Sequence, residues 1–476
     1  MPNLRRLLFV TSLVAGFLFF LSCTSTHTRH PNIIFILADD LGYGDLSCLN
    51  PDAKISTPNM DRLAREGIYF TDAHSGAAVC TPTRYGILTG RYCWRSRLKA
   101  GVLWGYSPLL VEKGRMTVAA MLKKHGYRTA CVGKWHLGLG DEEKTDYTRP
   151  LASGPHTVGF DYFFGIPASL DMIPYVYVEN DRVVEQPTDT VAEVRDGGVF
   201  WRGGPIVPNF QFEQVLPTLT EKALSFINDC ARTPEQPFFL YFPLTAPHTP
   251  WVPTKDFLGA SNAGLYGDFV AQVDWTVGQI LKKLDEHHLA NNTLVILTSD
   301  NGSDERYIGA QYGHDANYIF RGQKSDVWDG GHRVPFLARW PKRIKAHSRS
   351  DESICLTDFM STVAAVVGEA LPDTAAEDSY NILPVLEGRA GSTSVREAIV
   401  HHSVNGMFAI RQGDWKLIYC KGSGGWSLAE DDASQEAPWQ LYNLQDDISE
   451  QKNLYFTHPE VVKRLDNLFE TIAGIE

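Results

Sequence analysis

The 476-residue chain has no surplus of positive charge: 44 Lys and Arg stand against 56 Asp and Glu, a formal net charge of −12. That balance excludes a general affinity for nucleic acid or anionic lipid, though not a local basic pocket for a small anion. Cysteine is sparse. The eight residues, Cys23, Cys48, Cys80, Cys93, Cys131, Cys230, Cys355 and Cys420, include no C-x-x-C pair. Zinc-ribbon, thioredoxin-type and disulfide-scaffold readings therefore fail, and most of these thiols are expected as small buried hydrophobes. The chain also lacks internal repeats, heptads and any low-complexity tract beyond the Gly/Ser loop Gly422–Ser427. With 43% apolar and 21% charged residues, what remains is an ordinary globular protein long enough for a large core.

The N-terminus carries an address. Arg5 and Arg6 precede an apolar run, Leu7–Leu21, that is short for a membrane span and ends in Ser22-Cys23. This describes a secretory signal over residues 1–22. Phe20-Leu21-Ser22-Cys23 resembles a bacterial lipobox, with Phe20 in place of the usual aliphatic residue. The expectation is an exported bacterial lipoprotein of the periplasm or outer membrane, anchored through Cys23, with residues 23–31 as a tether.

From Asn32 onward, near-continuous apolar runs alternate with helical patterns. The runs are Ile33–Leu37, Thr129–Val132, Phe238–Phe242 and Leu294–Thr298; the helices include Asn59–Glu66, Met116–His125, Leu219–Cys230 and Tyr266–His287. This pattern predicts an α/β domain, 32–372, whose largely parallel sheet is sandwiched by helices. A Gly/Pro-rich stretch from Asp146 to Pro217 reads as a surface excursion of the kind that shapes pockets. Beyond it, Ala398–His402, Phe408–Gln412, Trp415–Tyr419 and Trp439–Asn443 read as antiparallel strands, with Gln412-Gly413-Asp414 as a turn and a last helix after Pro459. Residues 373–476 are thus expected as a smaller α+β subdomain.

Polar residues cluster where the apolar runs stop. Ile33–Leu37 leads to Asp39-Asp40, Leu294–Thr298 to Asp300-Asn301, Thr129–Val132 to Lys134 and His136, and Phe238–Phe242 to His248. Ligands of open α/β sheets bind beyond the carboxyl ends of strands, so these clusters should converge. Singly, each Asp reads as a cap or turn residue and each Lys or His as a surface or loop residue. Together, the carboxylates and an amide oxygen suit a hard cation, Ca²⁺ or Mg²⁺, rather than zinc. Cys80 stands just before a predicted helix N-terminus, where Thr81 would cap and Pro82 would fill the first turn, a place that favours an anion.

Cys80-Thr81-Pro82-Thr83-Arg84 followed by Leu88-Thr89-Gly90-Arg91 resembles the maturation signature of the type I sulfatases, in which the cysteine is oxidised to formylglycine. The likeness runs from Asn32 to the C-terminus. It takes in the strand-end clusters, Gly133-Lys134-Trp135-His136, Arg321-Gly322-Gln323-Lys324 and Asp329-Gly330-Gly331-His332-Arg333-Val334-Pro335, where the family more often has Glu-Gly-Gly. The nearest branch is that of arylsulfatase A and N-acetylgalactosamine-6-sulfatase, with an alkaline-phosphatase-like fold.

The resemblance implies a carbohydrate sulfatase matured by a formylglycine-generating enzyme. Residue 80, as a geminal diol, attacks sulfur with one hydroxyl; loss of the second hydroxyl's proton then expels sulfate and restores the aldehyde. Asp39, Asp40, Asp300 and Asn301, with the side chain at position 80, hold the cation. Arg84, Lys134 and Lys324 bind the diol and sulfate oxygens, His136 takes the diol proton, and His248, assisted by Lys324, protonates the leaving oxygen. Ser169 falls near the sulfate by resemblance of Gly165–Asp171 to the arylsulfatase-A loop. Asp171 and His314 are candidate partners for sugar hydroxyls, and Trp104, Trp201 and Trp251 are candidate stacking platforms. The leading substrate is a 6-O-sulfated galactose or N-acetylgalactosamine, followed by its 4-O-sulfated counterpart. The rival readings are a phosphate or phosphonate monoesterase of the same superfamily and a glycan-binding pseudoenzyme.

Overall fold

A computed structural model describes residues 30–474, except 307, 309–311, 392 and 428–435. The signal segment and Cys23 lie outside the described residues. The body is built on a ten-stranded sheet. In chain order its strands are β1 (Asn32–Asp39), β2 (Ile68–Phe70), β3 (Arg128–Lys134), β4 (Tyr162–Ile166), β5 (Val178–Glu179), β6 (Arg182–Val183), β7 (Phe238–Pro247), β8 (Thr293–Ser299), β9 (Phe336–Arg339) and β10 (Ser348–Ser350). Their spatial order is β10-β2-β9-β8-β1-β7-β3-β4-β5-β6. The middle five, β8 to β4, run parallel.

Strand β1 shows why the sheet is covered on both faces. Side chains alternate across a strand, so Ile33, Phe35 and Leu37 enter one core while Ile34, Ile36 and Ala38 enter the other. Burying each large apolar side chain contributes about 1.5–3 kcal/mol, and an apolar residue at every position demands helices on both sides. The first core is closed by α2 (Cys80–Thr89), α3 (Val118–Lys124) and α6 (Phe359–Val367). The second is closed by α1 (Pro58–Arg65), α4 (Val215–Ala231) and α5 (Gly264–Glu286).

The Asp146–Pro217 stretch departs from expectation. Its apolar run Tyr162–Ile166 is strand β4, buried against β3, because five residues between Gly159 and Pro167 suffice to extend the sheet. Strands β5 and β6 carry the sheet on to its edge, and two small antiparallel pairs follow, Val194–Asp196 with Val199–Trp201 and Asp189–Val191 with Gly204–Ile206.

The C-terminal part is a four-stranded antiparallel sheet of β11 (Ile399–His402), β12 (Phe408–Gln412), β13 (Trp415–Ile418) and β14 (Gln440–Asn443). Gly413, at φ +58°, makes the tight turn between β12 and β13. One face packs Ile410, Leu417 and Leu441 on α7 (Pro459–Ala473); the other packs Ala409, Ile418 and Tyr442 on Val327 and Trp328 of the body. A fully buried Lys416 completes the join, its ammonium 2.8 Å from both Asp329 and Glu450.

Candidate active site

Register sets the site. Strand β1 pairs Ala38 with Ser299 of β8 on one side and Asp39 with Pro247 of β7 on the other. Asp39-Asp40, Asp300-Asn301 and His248 therefore leave the sheet side by side. Strand β3 delivers Lys134 to the same edge. Gly133 is required there: at φ +138°, a Cβ would stand 1.8 Å from the Pro243 carbonyl oxygen of β7. Helix α2 starts at Cys80, and Arg84 follows four residues later on the same face. Thr81 does not cap this helix. Its hydroxyl turns outward and donates to the His136 carbonyl at 3.0 Å.

Beneath the floor of a cleft of about 540 Å³, three buried carboxylates meet three buried cations. Lys134 Nζ lies 2.9 and 2.7 Å from the two Asp39 oxygens. Arg84 donates to Asp300 Oδ2 at 2.7 Å (Nη2) and 3.1 Å (Nε), and to the Lys134 carbonyl at 3.0 Å. Lys324 Nζ is 2.7 Å from Asp40 Oδ2, and His248 Nε2 is 3.7 Å from the same oxygen.

Burial pushes the Asp39 carboxyl up, but Lys134, His248 and Arg84 hold it well below the usual carboxylate range. Asp300 goes the other way: burial and the adjacent Asp39 raise it to about 6 against the pull of Arg84. Burial disfavours the Lys324 ammonium, yet Asp40 and its acidic neighbours hold it above its ordinary value. Burial also pushes the Cys80 thiol up to about 12, against Lys134 and Lys324, so an unmodified thiol here is a poor nucleophile at neutral pH.

The donor set fits a hard cation. Asn301 Nδ2 donates to Asp40 Oδ1 at 2.7 Å and to the Gly302 carbonyl at 2.9 Å. Its Oδ1 is left buried without a hydrogen-bond partner among the described residues. A desolvated amide oxygen beside three carboxylates is what an oxygen-ligated ion satisfies. Asp39, Asp40, Cys80 and His248 bring ligand atoms within 4.8 Å of one another. A second histidine group, His74, His332 and His401, lies where the C-terminal sheet meets the body. There the His332 and His401 rings stack at 3.7 Å and 10°, which keeps their lone pairs from converging on one ion.

Cys80, His136, Ser169, Asp171, His248 and Lys324 line the cleft. Burial, with Lys134 and Arg84 nearby, holds the His136 ring well below its ordinary pKa and therefore neutral. Ser169 Oγ and Asp171 Oδ1 are buried without a hydrogen-bond partner among the described residues.

Two expectations are corrected. His314 does not line the cleft: its Nε2 pairs with Asp45 Oδ1 at 2.8 Å, and the ring is sealed behind the acidic cluster. Of the three tryptophans only Trp104 faces the cleft. Trp201 stacks on Phe212 at 4.5 Å, and Trp251 packs on Tyr266 at 5.3 Å.

The sequence reading also missed the cleft walls. Arg202 donates to the Asp171 carboxylate and lies over Trp104 at 4.8 Å and Phe200 at 4.9 Å. Arg306 pairs with Asp304 at 2.6 Å and lies 3.9 Å over Trp426, which the Gly/Ser loop contributes from the C-terminal part. The Val-Arg-Asp-Gly-Gly-Val run at 194–199, a hairpin signal around Gly197-Gly198, would have revealed the 194–201 pair that positions Arg195 and, just after it, Arg202.

A parallel-centred sheet with a cation-ready acidic cluster and an anion-ready Arg/Lys/His set at its carboxyl edge is the architecture of the alkaline-phosphatase-like ester hydrolases. The sulfatase family matches residues 31–369, and the N-sulphoglucosamine sulphohydrolase C-terminal family matches 322–473. An N-acetylgalactosamine-6-O-sulfatase of Bacteroides thetaiotaomicron is 36% identical, covering 99% of each chain. Human arylsulfatase A is 33% identical over 92% of this chain and 87% of its own. A solved 6S-sulfatase structure, from work on the metabolism of multiple glycosaminoglycans by Bacteroides thetaiotaomicron, superposes with a TM-score of 0.84 at 36% identity, covering 93% of this chain and 99% of its own. The chain belongs to the sulfatase family and is a sulfuric ester hydrolase.

Proposed function

We propose that this sulfatase removes 6-O-sulfate from galactose-type sugars of glycans, with N-acetylgalactosamine 6-sulfate as the lead substrate. One observation carries the site: Cys80, His136, His248 and Lys324 share a cleft directly above the buried Asp39/Asp40/Asp300/Asn301 cluster. The choice of sugar is supported by the relative that is 36% identical over 99% of the chain. The 4-O-sulfated sugar is the second reading.

Asp39, Asp40, Asp300 and Asn301 would hold Ca²⁺, which supplies Lewis-acid polarisation of a sulfate oxygen and of the side chain at position 80. Cys80, oxidised by a formylglycine-generating enzyme and hydrated, supplies a diol with one hydroxyl for attack and one for release. Around it, Arg84 and Lys134 orient the diol, and Lys324 binds sulfate oxygen with charge-assisted hydrogen bonds. His136 is neutral, so its ring nitrogen accepts the diol proton in the release step. His248 delivers a proton to the ester oxygen as the sugar leaves. Ser169 Oγ faces sulfate, and Asp171 Oδ1 accepts from a sugar hydroxyl beside the Arg202 guanidinium.

Residues 1–22 direct export and Cys23 carries the lipid, which places the enzyme in the bacterial periplasm or outer membrane. Fatty-acid labelling of wild type but not of Cys23→Ala tests the anchor, and equal labelling refutes it. The substrate is tested on a panel of singly sulfated galactose and N-acetylgalactosamine with matched phosphate esters. Fastest release from the 6-O-sulfated N-acetylgalactosamine is expected. Faster turnover of the 4-O-sulfate or of a phosphate ester overturns the proposal.

A further inference from the structure

We infer that Thr81, the residue after the nucleophile position, is a positioning residue that fixes the tautomer and orientation of His136 through a clasp with Leu103. The inference rests on the reading of His136 as the base.

The geometry is closed and internal. His136 has φ +54°, a left-handed backbone that a non-glycine residue holds only when its surroundings over-determine it. Three hydrogen bonds do so. Its N–H donates to the Pro167 carbonyl at 3.0 Å, its carbonyl accepts from Thr81 Oγ1 at 3.0 Å, and its ring Nε2 meets the Leu103 carbonyl at 2.8 Å. Thr81 Oγ1 also accepts from the Leu103 N–H at 3.1 Å. One fully buried hydroxyl therefore ties the His136 backbone to Leu103, the residue whose carbonyl receives its ring.

The consequence is chemical. A carbonyl can only accept, so Nε2 must carry the proton and the lone pair is on Nδ1. Nδ1 is buried and has no protein partner among the described residues, while the ring lines the cleft above position 80. Without the Thr81 hydroxyl, Leu103 is free to drift. The ring then loses the carbonyl that selects its tautomer, and the base is presented in mixed forms.

The test uses full-length protein with activity normalised to formylglycine content by intact mass, because position 81 lies inside the maturation signature. Thr81→Val, which keeps the shape and removes the hydroxyl, is expected to lower kcat about tenfold or more with KM changed less than about threefold. Thr81→Ser is expected to restore most of it. Nitrogen-15 histidine spectra, with His136 assigned from His136→Asn, should show a single Nε2–H tautomer in wild type and both tautomers in Thr81→Val. A folded, fully converted Thr81→Val with wild-type kcat, or with the wild-type tautomer intact, overturns the clasp. If the tautomer mixes in Thr81→Val while His136→Asn keeps wild-type kcat, the clasp stands and the assignment of His136 as base fails.

Discussion

Replacing Lys416 by Met measures how the C-terminal sheet is held to the body. The Lys416 ammonium is fully buried at 2.8 Å from both Asp329 and Glu450, so the substitution leaves two carboxylates without their shared cation. Breaking a buried ion pair from one side costs about 3–5 kcal/mol. Two features place this case at the lower end. Asp329 keeps Arg333, at 2.9 and 2.8 Å. Glu450, pushed up to about 7 by burial and by Asp329 even with Lys416 present, can take up a proton instead.

At roughly 1 °C per kcal/mol for a chain of 476 residues, the melting temperature should fall by about 3 °C. The loss should also depend on pH. A carboxyl whose folded pKa is raised above its unfolded value costs stability as pH climbs between the two. Removing Lys416 raises Glu450 further, so the gap between variant and wild type should widen above pH 7. Thermal melts of both proteins from pH 6 to 8.5 provide the assay. A shift below about 1 °C, or a gap that stays constant with pH, would refute the reasoning.

The remaining predictions concern the cleft. His248→Ala should lower kcat about 10²–10⁴-fold on a sugar sulfate and far less on a nitrophenyl sulfate, whose leaving group needs no proton; equal losses on both would remove His248 from the acid role. Chelation should abolish turnover and Ca²⁺ should restore it, whereas Asn301→Leu should not be rescued at the same Ca²⁺ concentration; full rescue would mean that the orphan Asn301 oxygen is not a ligand. Asp171→Ala should raise KM for a sulfated sugar at least about tenfold while leaving an aryl sulfate nearly unchanged, as kinetics on the two substrates would reveal.

The sheet was legible because β1 and β7 are apolar at almost every position and β8 through its centre, as a parallel strand covered on both faces requires. The meeting of Asp39, Lys134, His248 and Asp300 was legible for a related reason: polar residues break those runs at one edge of the sheet, so their positions alone bring them together. The cleft walls did not. Arg202 and Trp426 come from short hairpins and a Gly/Ser loop, where neither period nor spacing identifies a neighbour in space. His314 misled because nothing in its local sequence reveals Asp45, the partner that draws its ring behind the site. Thr81 misled in the opposite way. Its position before Pro82 suits a cap, yet the peptide it serves is Leu103.

The central claim is that residue 80 works as a diol, and Cys80→Ser tests it most directly. Serine offers one hydroxyl at the same buried helix start, so it can accept sulfate but cannot expel it by forming an aldehyde. Sulfate release should be followed over many equivalents with homogeneous Cys80→Ser protein, alongside intact-protein mass spectrometry of both proteins. The account predicts a wild type whose Cys80 is converted and that turns over repeatedly, and a folded Cys80→Ser enzyme that traps at most one sulfate per site. Sustained turnover by verified Cys80→Ser, or an active wild type whose Cys80 is wholly unmodified, would contradict it.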